Sequence, residues 1–121
     1  MTQTVLTVDD SRTIREMLNH TLSAAGFRVV TAEDGVHGLD VLQTERPDVI
    51  ITDINMPRLD GFGFIEAVRG DAAHRATPIL VLTTESEPEK KARAREAGAT
   101  GWIVKPFNPT KLVDAVRRVA A

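Results

Sequence analysis

The chain contains no cysteine. Disulfides, thiolate catalysis and zinc-thiolate centres are therefore all excluded, and the composition is compatible with a reducing compartment such as the cytoplasm. Tyrosine is also absent, there is a single tryptophan, and aromatic residues make up only 4% of the total. Any core must be built from Val, Leu, Ile and Ala. No apolar run approaches the ~20 residues of a membrane-spanning helix. The start, Met1-Thr2-Gln3-Thr4, lacks the basic and apolar regions of a secretory signal. Nor is there an excess of positive charge. The formal net charge is −2, which argues against a nucleic-acid partner, because phosphate backbones select a concentrated basic face. Repeats, low-complexity tracts and Pro/Gly/Ser linkers are missing too. With 121 residues the chain fits one domain, and a domain of this size buries roughly two-thirds of the surface its unfolded form exposes.

Short apolar runs alternate with amphipathic stretches. The runs are Val5-Leu6-Thr7-Val8, Val29-Val30-Thr31, Val49-Ile50-Ile51-Thr52, Ile79-Leu80-Val81-Leu82 and Trp102-Ile103-Val104. The first, third and fourth are almost continuously apolar, which marks strands covered on both faces, as in parallel sheets. Between the runs lie five candidate helices. Ser11 caps the first, with Ile14, Met17, Leu18 and Leu22 facing inward and Gly26 as its stop. Asp34 opens the second (Leu39 and Leu42 inward) and Asp60 the third (Phe64, Ile65 and Val68 inward). Pro88 begins the fourth, which Gly98 closes, and Asn108-Pro109 opens the fifth, with Leu112, Val113, Val116 and Val119 inward. Five strand-helix units in this order imply an α/β fold with right-handed crossovers and helices on both faces of a parallel sheet. The fourth helix is unlike the others: its only apolar residues between Glu87 and Ala97 are alanines. Burial of alanine removes little apolar area, so this helix is either an ordinary solvated helix or a movable element.

Four of the five runs end in residues capable of chemistry. Asp9 and Asp10 follow the first, Asp53 the third, Thr83 the fourth and Lys105 the fifth, whereas the second ends in Thr31-Ala32. Ligands of open α/β sheets bind outside the carboxyl ends of the strands, so these residues would meet on one rim. Three carboxylates packed together raise one another's pKa unless a cation intervenes. Hard oxygen ligands with room for water suit Mg²⁺. A carboxylate nucleophile, a point positive charge and a hydroxyl donor are the parts that phosphoryl transfer to an acyl phosphate requires. Taken singly, each feature has a plainer reading: Asp9-Asp10 would serve equally to cap a helix, Thr83-Thr84 as strand residues and Lys105-Pro106 as a turn.

The set Asp9-Asp10-Ser11, Asp53-Ile54-Asn55-Met56-Pro57 with Asp60-Gly61, Thr83, and Lys105-Pro106-Phe107 resembles the receiver domains of two-component response regulators, over essentially the whole chain. The resemblance implies a flavodoxin-like (βα)5 doubly wound parallel sheet, strand order 2-1-3-4-5, with residues 1–121 forming a single receiver domain. It implies Asp53 as phospho-acceptor, Mg²⁺ held by Asp9, Asp10, Asp53 and the backbone carbonyl of Asn55, and Lys105 on the phosphoryl oxygens. Thr83 would be the hydroxyl that reports phosphorylation, and a cis Lys105-Pro106 peptide would aim the lysine. Asn55 and Glu85 are similar to the residues that modulate self-dephosphorylation in single-domain chemotaxis regulators of the CheY type. The likeness to that subgroup implies a cytoplasmic monomer with a histidine kinase of the chemotaxis CheA type and a flagellar motor switch protein as partners. A phosphatase would be a further partner, and membrane and nucleic acid would have no part. The chain would then be a signalling switch that catalyses only its own phosphorylation and dephosphorylation. Trp102 departs from the pattern, since the family places Tyr or Phe there as a rotating aromatic. The indole is either a switch of altered geometry or simply a large residue on an edge strand.

Several alternatives stay open. The chain could be a phosphorelay intermediate or a phosphate sink. A phospho-aspartate hydrolase would need a second Asp where Asn55 stands. A flavin or nucleotide binder would need a glycine-rich loop after the first run. A receiver-like interaction domain without phosphorylation is the remaining possibility.

Overall fold

A computed structural model describes residues 2–121. The elements alternate strictly: β1 (Thr4–Val8), α1 (Arg12–Ala24), β2 (Arg28–Ala32), α2 (Gly35–Leu42), β3 (Val49–Thr52), α3 (Gly61–Gly70), β4 (Ile79–Thr83), α4 (Pro88–Ala97), β5 (Gly101–Val104) and α5 (Pro109–Ala120). All strand pairs are parallel, in the order β2-β1-β3-β4-β5. This is the flavodoxin-like order that the resemblance implied. β1, β3 and β4 occupy the centre, with β2 and β5 at the edges.

The continuous apolar runs are explained by two cores, one on each face of the sheet. Successive strand residues point to opposite faces. Leu6, Ile50, Ile79 and Val81 therefore join Phe64, Ile65 and Val68 of α3, Leu42 of α2 and Ala94 of α4. Val5, Ile51, Leu80 and Leu82 join Leu18 and Leu22 of α1 with Leu112 and Val116 of α5. Edge strand β5 is only half-buried, with Val104 exposed.

The expected caps are in place. Ser11, Asp34, Asp60 and Asn108 each accept a hydrogen bond from the backbone N–H three residues on, which satisfies a donor the helix itself cannot pair. Gly98 ends α4 in the left-handed region at φ 117°. Met17 corrects one expectation. It is 48% exposed and faces solvent, because Leu18 and Leu22 already fill the inward stripe of α1. In α4 Ala94 is the one buried residue, and the helix adds a stacking contact from the Arg93 guanidinium, 4.1 Å above the Phe62 ring.

Gly61 lets α3 start directly against the end of β3. A Cβ there would run into the Asp53 carbonyl and the Ile54 Cα, which are backbone atoms that cannot turn aside. By contrast, Gly70 at the other end of the same helix faces open space. Gly61→Ala is expected to destabilise the protein by about 2 kcal/mol through overpacking. Gly70→Ala is expected to be neutral or to stabilise by roughly 0.5 kcal/mol. Urea unfolding of both variants checks the pair.

Candidate functional site

The parallel order brings the carboxyl tips of β1, β3, β4 and β5 to one rim. Asp9 and Asp10 follow β1, Asp53 follows β3, Thr83 is the last residue of β4, and Lys105 follows β5. One carboxylate oxygen from each of Asp9, Asp10 and Asp53 lies within 4.8 Å of the others; Asp9 and Asp53 are buried and Asp10 is exposed. The Lys105 ammonium donates to Asp9 Oδ2 and to Asp53 Oδ2, both at 2.9 Å. The remaining oxygens of the two buried carboxylates are held by the backbone: Ser11 N–H donates to Asp9 Oδ1 at 2.9 Å, and Ile54 N–H donates to Asp53 Oδ1 at 2.6 Å. The Lys105–Pro106 peptide is cis, as the resemblance implied.

Burial pushes the Asp9 carboxyl up from its ordinary 3.8, against the opposing pull of Lys105 and the Ser11 N–H. Burial alone would lower the Lys105 pKa, but its hydrogen bonds to Asp53 and Asp9 outweigh burial and hold the ammonium above its ordinary 10.5. The three carboxylates form an all-oxygen donor set with one member open to solvent. This set suits a hard divalent cation that keeps part of its water shell.

The other predicted residues lie beside this pocket. Thr83 is fully buried, and its Oγ1 accepts from the Glu85 N–H at 3.3 Å. Glu85 Oε1 accepts from Asn55 Nδ2 at 2.9 Å, joining the β3–α3 and β4–α4 loops. Glu85 Oε2 pairs with Lys90 of α4 at 2.9 Å. Trp102 Nε1 donates to the Glu85 carbonyl at 3.1 Å, so the indole is half-buried and tied to the β4–α4 loop by a bond that Phe lacks the donor to make.

The sequence profile of the response regulator receiver domain matches residues 5–117. The chain belongs to the response regulator receiver family. Receiver domains are signalling switches of two-component systems that bind Mg²⁺ at an acidic pocket, and a cluster of aspartates, Asp9, Asp10 and Asp53, is present here. The chain is 52% identical to the chemotaxis protein CheY4 of Vibrio cholerae, with a TM-score of 0.94, covering 98% of this chain and 99% of that one. It is 26% identical to the receiver domain of a sensor histidine kinase of Pseudomonas aeruginosa, with a TM-score of 0.92, covering 99% and 98% of the two chains; that structure has a magnesium ion coordinated in its active site cleft. Response regulator MprA of Mycobacterium tuberculosis is 38% identical over 97% of this chain and 50% of its own length. The chain spans about half the length of the curated relatives it matches. Among the described residues, no helix is long and apolar enough to cross a membrane.

Two basic residues escaped sequence reasoning, Arg58 beside the site and Arg69 at the far end of α3. Arg58, in the β3–α3 loop, has φ 67° and donates from Nε and Nη2 to the two oxygens of Asp34, at 2.8 and 3.0 Å. The α2 cap is thereby tied to the loop that carries Asn55. Arg69 donates to the carbonyls of Gly98, His74, Arg75 and Thr77 and pins the C-terminal end of α4; burial lowers its pKa. Neither partnership has a local sequence signal, since a non-glycine residue with positive φ and a guanidinium on scattered carbonyls depend on the path of the loops.

The Arg58 guanidinium, with the His37 N–H, holds the Asp34 carboxyl below its ordinary 3.8. The sign follows from the lowered folded value: this stabilisation is present above pH 3.8 and is lost as pH falls through the folded pKa. Chemical unfolding across that range is expected to show the native protein losing its advantage over Asp34→Asn only below pH 3.8.

Proposed function

We propose that the protein accepts a phosphoryl group on Asp53 from a histidine kinase, changes shape at the surface formed by α4, β5 and α5, and loses the group by its own hydrolysis. The observation that carries this reading is the Lys105 ammonium bridging Asp9 and Asp53 at 2.9 Å beside Asp10. A switch that worked by shape alone would have no use for such a concentration of charge.

Asp9, Asp10, the Asp53 side chain and the Asn55 carbonyl would hold Mg²⁺. The ion would supply charge neutralisation for the phosphoryl oxygens. The Asp53 carboxylate is oriented by Ile54 N–H on Oδ1 and Lys105 on Oδ2; one of its oxygens bonds to phosphorus as the bond to the donor's leaving group breaks, giving an acyl phosphate. Lys105 stays close enough to pair with the new anion. Donation of the Thr83 hydroxyl to a phosphoryl oxygen would reorient a side chain whose Oγ1 now accepts from the Glu85 N–H. That shift disturbs the loop on which Trp102 is hydrogen-bonded and α4 is mounted. The partner-facing surface then changes population in proportion to how differently a partner binds the two states. Asn55 and Glu85 act on the lifetime of the phosphorylated form. A phospho-aspartate hydrolase is disfavoured, because the Asn55 amide cannot shuttle protons as a carboxylate does.

The likeness to CheY4 supports a chemotaxis kinase of the CheA type as donor, a flagellar motor switch protein as target, a phosphatase as further partner and a monomer in the cytoplasm. A role as relay intermediate or phosphate sink uses the same site. A phosphorylation-dependent complex with the switch protein separates the motor reading from these two.

Incubation with radiolabelled acetyl phosphate and Mg²⁺ is expected to label the protein. Label should fall to background in Asp53→Asn and after chelation. Labelling that survives Asp53→Asn assigns the acceptor elsewhere.

A further inference from the structure

Four contacts converge on Glu85. Its N–H meets Thr83, its carbonyl meets Trp102, one carboxylate oxygen meets Asn55, and the other meets Lys90. Of the first three partners, Thr83 ends β4, Trp102 lies within β5 and Asn55 lies in the β3–α3 loop. Lys90 alone belongs to α4, and it is the direct polar link between that helix and the residues around Asp53.

α4 depends on such a link. It buries only Ala94, and Glu87 provides no side-chain cap at its N-terminus. Its C-terminal end is fixed by Gly98 and by Arg69 on the Gly98 carbonyl at 2.9 Å. Its N-terminal end is joined to the β4–α4 loop through Lys90, whose Nζ also lies 3.8 Å from Glu87. The helix is thus anchored at the far end and adjustable at the end nearest the phosphorylation site.

We infer that Lys90 is a positioning residue for loss of the phosphoryl group: it holds the Glu85 carboxylate against Asn55 and so makes the closure of the rim beside Asp53 depend on the placement of α4. This rests on the reading of Asp53 as acceptor. In hydrolysis, a water oxygen bonds to phosphorus while the bond to the Asp53 oxygen breaks. The carboxylate leaves with the electron pair, and the water protons pass to the released phosphate and to solvent. With both oxygens of Glu85 engaged, the Asn55–Glu85 bridge spans the gap between the two loops and restricts the approach of water. Without Lys90 the carboxylate regains its rotamers, the bridge loosens and water enters more freely. A partner that draws α4 away from Glu85 would shorten the phosphorylated lifetime by the same route.

The test follows decay of the phosphoryl group in native protein, Lys90→Met and Lys90→Arg, each labelled with radioactive acetyl phosphate and freed of donor, at low and high salt. Lys90→Met is expected to decay about two- to fivefold faster, the scale an exposed ion pair can supply. Its rate should be insensitive to salt, whereas the native rate rises toward it as salt screens the pair. Lys90→Arg should restore the native rate. Thermal unfolding of the three proteins separates this effect from loss of fold. An unchanged or slower decay in Lys90→Met, or no rescue by Arg, overturns the inference and leaves Asp53 as acceptor untouched. Failure of the native protein to take label overturns both.

Discussion

The Lys105 ammonium between Asp9 and Asp53 is the interaction on which the rest of the site depends. Two like charges 4 Å apart repel by about 4 kcal/mol at the effective screening of a protein surface, and three carboxylates here share one small pocket. Lys105 supplies the positive charge that offsets this repulsion between the two buried carboxylates. Lys105 follows the edge strand β5, two strands away from β3, which Asp53 follows. Its side chain must therefore reach across the tip of β4 to touch the tips of β1 and β3 together. The strand order, the length of the lysine and the acidity of the pocket are in this sense one constraint.

That constraint shapes the energetics of the surrounding layers. The central strands are buried on both faces and supply a stiff platform, while the functional groups sit on short loops above it. The two cores are unequal in how they hold their helices. α1 and α5 bury branched aliphatic residues, whereas α4 buries one alanine and relies on polar ties: Arg69 at its end, Arg93 on Phe62, and Lys90 on Glu85. Polar ties exposed to water exchange at little cost, so α4 is the layer best able to take two positions without disturbing the core.

Most of the platform was legible in the sequence because it rests on local physics. Val49-Ile50-Ile51 announces a strand covered on both faces, and Asp34, Asp60 and Asn108 announce helix starts through side-chain caps. The convergence of Asp9, Asp10, Asp53, Thr83 and Lys105 followed from where the strands end. Met17 was misread because helical spacing alone does not say which edge of an apolar stripe the core has room for. Arg58 on Asp34, Arg69 on four carbonyls and the Trp102 indole on the Glu85 carbonyl were not legible. Each joins residues 5 to 29 positions apart through the course of loops, and no periodicity encodes that. The substitution of Trp for Tyr or Phe was visible, but its consequence was not: the indole N–H gains a fixed partner on the β4–α4 loop.

The central claim is that chemistry at Asp53 is transmitted through Thr83 and Glu85 to Trp102. Trp102 is the single tryptophan, so its fluorescence reports that path directly. Addition of beryllofluoride with Mg²⁺, a stable mimic of the phosphoryl group, is predicted to change the emission saturably in the native protein and to leave Asp53→Asn unaffected. An unchanged emission in native protein that nevertheless takes phosphoryl label would contradict the account, by showing that Trp102 is uncoupled from the site.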